Sequence, residues 1–175
     1  MINHHDQKKG IIIMKTTALR ILAALLAILS LTLCFAACDG GSDSTLYFSA
    51  NGTKIAIGAD ADDVIGKLGT PANQTSSASC GGFEGLDYVY TYGGYRVSTT
   101  PAKDGQIICK VELTDDSVKT PEGLYIGMTR ADAETAMKGH TSESVGDNLV
   151  YTAGDVKLQV VFRDGTVSGI VYVAK

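Results

Sequence analysis

The chain has 175 residues, 15 Lys and Arg against 19 Asp and Glu, and a formal net charge of −4. That length suits one domain of ordinary size or two very small ones, and the acidic balance excludes the basic footprint of a nucleic-acid-binding protein and a polybasic membrane patch.

The N-terminus reads as a targeting segment. Lys8, Lys9, Lys15 and Arg20 precede an uncharged run over residues 21–33, which is the layout of a secretory signal peptide. The run is shorter than the roughly twenty apolar residues of a spanning helix. Residues 1–37 are therefore expected to be a signal peptide, with Met14 a more conventional start than Met1. Phe35-Ala36-Ala37-Cys38 resembles a bacterial lipobox, with Phe35 in place of the usual Leu, and makes Cys38 the expected site of lipid attachment. The rival Cys34 follows Leu33, which is too bulky for the residue before the cut. Anchorage would then rest on the acyl chains, at about 0.8 kcal/mol per buried methylene. A chain beginning at Cys38 keeps 11 Lys and Arg against 18 Asp and Glu. The lipidated Cys and a flexible polar tether occupy residues 38–45, and the expected location is the cell membrane, facing outside the cytoplasm.

The rest reads as one unit written twice, repeat 1 over residues 46–114 and repeat 2 over residues 124–175, joined by a connection over residues 115–123. Residues 54–69, KIAIGADADDVIGKLG, return as residues 124–139, LYIGMTRADAETAMKG. Each copy predicts a short strand ending in Ile-Gly, an N-cap at Asp60 or Thr129, an acidic residue three positions on, and a glycine, Gly69 or Gly139, that ends the helix. Val64, Ile65 and Leu68, and in the second copy Ala133, Ala136 and Met137, keep one apolar side at helical spacing. Asn51-Gly52 predicts a tight hairpin that adds a strand before the first repeat. Three strands with tight turns are expected after each helix. Residues 88–93, YVYTYG, answer residues 149–154 at an offset of 61, and Asp104-Gly105 answers Asp164-Gly165 at 60. Alternation puts Ile107, Cys109, Val111 and Leu113 on one face, matched by Val167, Gly169, Val171 and Val173. The Ser- and Gly-rich residues 72–86 read as a loop insertion that repeat 2 replaces with the shorter residues 141–147. The expected class is α+β, two tandem repeats of strand, short helix and three-stranded antiparallel meander with the helices packed on one side of the sheet.

These residues, together with the wordings SCGGFEG, DYVYTYGG and TPEG, resemble uncharacterised lipoproteins of Gram-positive, Clostridia-like bacteria and the tandem fold of β-lactamase inhibitory protein and the SmpA/OmlA-class lipoproteins. The resemblance implies a binding or assembly protein and transfers no catalytic residue, since fold does not fix activity.

From the residues, no cofactor and no metal site are expected. His140 stands just past a helix end, where it suits the dipole, and the acidic run at residues 60–63 is better explained by capping than by calcium. Ser79-Cys80 with His140 lacks an orienting acid or an oxyanion-hole motif. Cys80 and Cys109 form an even pair that invites a disulfide outside the cytoplasm, while an inward-facing Cys109 would serve equally as a small hydrophobe. Tyrosine is the most telling residue type: Tyr88, Tyr90 and Tyr92 share a strand face, with Tyr95 across Gly93-Gly94. Tyr88 and Tyr90 are expected to pack, which leaves Tyr92 and Tyr95, with Phe83 of the insertion, as candidate partner-binding residues. The expected function is a non-catalytic binding module for a protein or cell-envelope partner. A structural or assembly lipoprotein and, behind it, a hydrolase using the Cys80 loop are the alternatives.

Overall fold

The computed structural model describes residues 45–175. The signal peptide, Met14, Cys38 and the tether up to residue 44 lie outside the described residues. Asn51 and Gly52, both left-handed with φ of 51° and 76°, fold the first hairpin between β1 (Phe48–Ala50) and β2 (Thr53–Ile55) as their sequence predicts. Helix α1 (Ala61–Leu68) follows, opened by the Asp60 carboxylate, which accepts from the Asp63 amide at 2.9 Å, and closed at Gly69 with φ 79°. Strands β3 (Asn73–Ala78), β4 (Leu86–Tyr92), β5 (Tyr95–Ala102) and β6 (Gly105–Leu113) form a meander. Helix α2 (Arg130–Ala136), capped by the Thr129 hydroxyl on the Asp132 amide at 3.2 Å, leads into β7 (Ser142–Val145), β8 (Asn148–Ala153), β9 (Val156–Arg163) and β10 (Thr166–Ala174).

All eight later strands join one antiparallel sheet in the order β3-β4-β5-β6-β10-β9-β8-β7. This corrects the α+β expectation. The chain is mostly β, with two helices of eight and seven residues that contribute Ala61, Val64, Leu68 and Ala133 to the core and form no layer of their own. Each meander has four strands and not three, because the supposed insertion and its shorter counterpart hold β3 and β7, the two edges of the sheet. Sequence alternation does not reveal them: NQTSSA and SESV carry almost no apolar side chains, and every residue of both strands is exposed. Nor does a strand open the second helical unit as β2 opens the first.

The same backbone tether occurs in both halves. The Gly58 amide donates to the Ile108 carbonyl at 2.8 Å, and the Ile108 amide donates back to Ala59 at 2.9 Å. Gly127, Val167 and Met128 make the matching pair at 2.7 and 2.8 Å. Directly after each tethered residue the ladder carries a β-bulge, Cys109 in one half and Ser168 in the other. A bulge adds one residue to a strand and reverses which side chains face inward. That is why Ile108, and not Ile107 or Cys109, is buried beside Val111 and Leu113, and why Val167 is followed inward by Ile170 and Tyr172 while Val171 and Val173 turn to the other face.

Strands β6 and β10 meet at the centre, with Val111 opposite Tyr172 and Leu113 opposite Ile170. Phe48 of the first hairpin packs on both halves, its ring 5.1 Å from Tyr95 and 6.4 Å from Tyr172. Burying these side chains in one continuous cluster supplies the main stabilising term, at about 25 cal/mol per Å² of apolar surface.

Candidate functional site

A cleft of about 460 Å³ opens where the first hairpin, the end of α1, the β4–β5 turn and the connection converge. Ser49, Ala50 and Asn51 come from the hairpin, Leu68 and Thr70 from the helix exit, Tyr92, Gly93 and Tyr95 from the strand turn, and Val118 and Lys119 from the connection. The turn is drawn tightly onto the connection. Gly94, at φ 82°, accepts at its carbonyl from the Thr114 amide at 2.9 Å, and a Cβ on it would collide with Ser117 Oγ and stand 2.9 Å from Val118 Cγ1. Ser117 is itself fixed by Asp115, which accepts from both its hydroxyl and its amide and whose carboxyl is thereby held below the ordinary carboxylate range.

Tyr92 and Tyr95 lie directly opposite each other in the ladder and stack, centroids 5.1 Å apart at 13°. The Tyr92 hydroxyl donates to the Gly69 carbonyl at 3.4 Å, which ties the ring to the helix exit. Of the residues singled out as partner-binding, these two come together and Phe83 does not. Phe83 is 49% exposed in the loop before β4, at the far end of that strand from the cleft. Tyr95 is a wall of the core, 4% exposed with its buried hydroxyl unpartnered, and Tyr92 is half-buried. Tyr88 and Tyr90, assigned to packing, are half-buried like Tyr92 but stack on each other at 6.1 Å outside the core cluster. The positions matching them in β8, Leu149 and Tyr151, are 5% and 3% exposed.

Burial, then the neighbouring Tyr92, pushes the Tyr95 phenol up to about 12. Burial followed by Tyr90 raises Tyr92, and burial, Tyr88 and Asp62 raise Tyr90. Near neutral pH the rings are therefore uncharged, and Lys119 is the single formal charge among the cleft residues. Flat aromatic surface, short polar side chains and one ammonium suit an apolar group that ends in a carbonyl or an anion.

Cys80 is exposed and Cys109 half-buried, and both are free thiols. Cys109 donates to the Ser98 carbonyl at 3.3 Å, and burial raises its thiol. Cys80 follows β3 and His140 precedes β7, so they belong to opposite edges of the sheet. Among the described residues no three His, Cys, Asp or Glu side chains converge as metal ligands, and no helix is long and apolar enough to cross a membrane. The cleft was only partly legible in the sequence. The tyrosines and Gly93-Gly94 marked one wall, whereas Lys119, Thr70 and Asn51 arrive from three other segments with no shared motif. No family model matches the chain, and neither a curated protein nor a solved structure matches it.

Proposed function

We propose that the protein is a lipoprotein anchored outside the cytoplasm through Cys38, and that it serves as a non-catalytic binding module for a protein or cell-envelope partner. The observation that carries the binding reading is the cleft itself, where a fixed pair of stacked tyrosines and Lys119 meet across four chain segments. Rigid aromatic side chains give contact area at low entropic cost, which is what a recognition surface needs. The anchor rests on the hydrophobic run, Ala36-Ala37-Cys38 and the polar tether of the sequence. A photo-crosslinking amino acid placed at Asn51 or Thr70 should yield a discrete adduct on intact cells, and the same probe at exposed Val145 of β7 should not. Equal labelling from all three positions, or none from the cleft, overturns the binding reading. Cys38→Ser should leave the chain uncleaved or release it into the medium, and unchanged processing with unchanged detergent partitioning removes the anchor.

A further inference from the structure

Strand β3 ends the sheet, six residues with no charge, no proline and every side chain exposed. Edge strands are ordinarily blunted by a charge, a proline, a bulge or a cover, because an open row of backbone groups is a template for another strand. The other edge, β7, carries Glu143 and has four residues. The Ser79 amide bonds to the Gly85 carbonyl at 3.0 Å in the β3–β4 register. Antiparallel alternation from that pair turns Ser77, Thr75 and Asn73 toward β4 and leaves the amides and carbonyls of Gln74, Ser76 and Ala78 pointing outward.

The face beside this edge is equally specific. Ala78, Ser76 and Gln74 stand opposite Leu86, Tyr88 and Tyr90, so small side chains at Ser76 and Ala78 form a shallow trough between the free edge and an aromatic row. Leu86 is 43% exposed and the Tyr88–Tyr90 stack is half-buried, with part of its surface open to solvent. Asp62, at the start of α1, acts electrostatically on Tyr90, and no basic partner for it is present among the described residues' ion pairs. Aromatic faces beside a carboxylate favour an ammonium or guanidinium.

We propose that β3 is a docking edge for an extended segment of a partner polypeptide that bears lysine or arginine, adds to the sheet as a ninth strand, and lays alternate basic side chains over Tyr88 and Tyr90. Main-chain pairing provides the general affinity of such strand addition, and the side-chain row provides the selection. The proposal deepens the binding-module reading but uses a different surface from the cleft, so the two fail separately.

The test uses the full chain and two pools of labelled octapeptides with Thr, Val or Tyr at alternate positions, one pool carrying Lys or Arg between them and the other Glu. Anisotropy should show saturable binding of the basic pool and binding of the acidic pool weaker by about tenfold or more. Ser76→Pro should weaken the basic pool by a similar factor without altering circular dichroism or melting, since an edge strand tolerates proline where its N–H faces solvent. Should that variant misfold, Gln74→Pro and peptides methylated on alternate amides make the same comparison. Asp62→Asn should weaken binding about threefold and flatten its salt dependence, while Lys119→Glu in the cleft leaves it unchanged. Equal binding of both pools, indifference to the proline variants and to methylation, or no saturation up to about 1 mM overturns the proposal. So does a dimer in sedimentation that Ser76→Pro abolishes, which would give the edge to a second copy of this chain.

Discussion

Gly94 shows how much a single residue can carry. A left-handed backbone costs a non-glycine residue about 1–2 kcal/mol, and overpacking adds a comparable amount. Gly94→Ala, which brings both, should lose about 2–4 kcal/mol in denaturant unfolding. Its neighbour Gly93 has open space around it, so Gly93→Ala should lose less than about 1 kcal/mol. Equal losses would mean that the connection does not press on the turn. The tyrosines give a second expectation at this scale. An unfolded tyrosine releases its proton near pH 10, whereas folded Tyr95 holds it to about 12, and Tyr92, Tyr151 and Tyr172 are also raised, chiefly by burial. Between these values the unfolded chain binds fewer protons than the folded one. Stability is thus fully present below pH 10 and falls as the pH climbs toward 12. Tyrosinate absorbance and the far-ultraviolet β signal, followed together, should change in one coupled step. Complete ionisation near pH 10 with an intact β signal sinks the idea.

At the scale of elements, local chemistry was readable and pairing geometry was not. Asp60, Thr129 and Asn51-Gly52 act within four residues of themselves, so their caps and turn follow from residue type. The bulges at Cys109 and Ser168 have no side-chain signature, since what fixes them is the backbone tether from Gly58 or Gly127 to the residue just before. Missing them misplaced Ile107, Cys109, Val171 and Val173. Strands β3 and β7 were hidden for a different reason: an edge strand needs a neighbour's backbone and not an apolar face. Helix α1 tests the part that was legible. Leu68 is 8% exposed, whereas Lys67 is mostly in solvent and paired with Asp63 at 2.7 Å. Leu68→Ala should cost about 2–5 kcal/mol and Lys67→Ala no more than about 0.5 kcal/mol. Equal costs would show that the helix turns a different side to the core.

On the scale of the whole molecule, the seam between β6 and β10 decides whether there is one cooperative unit or two. The meanders meet edge to edge, and a sheet so joined could part along that line if each half had its own core. Several contacts oppose this. Ile170 is fully buried opposite Leu113, Tyr172 lies opposite Val111, and Phe48 touches Tyr95 of one half and Tyr172 of the other. A half of some sixty residues also buries too small a fraction of its surface to be comfortably stable alone. Ile170→Ala, with an expected cost of about 2–5 kcal/mol, should therefore weaken both halves together. Hydrogen exchange reads this directly, because amides that open only by global unfolding all lose the same free energy. Protection should fall equally at Val97 in β5 and at Leu158 in β9, both fully buried in strand centres. A loss confined to the second meander would divide the molecule into two units. The cleft, built by the first hairpin, α1, the β4–β5 turn and the connection, would then depend on only one of them.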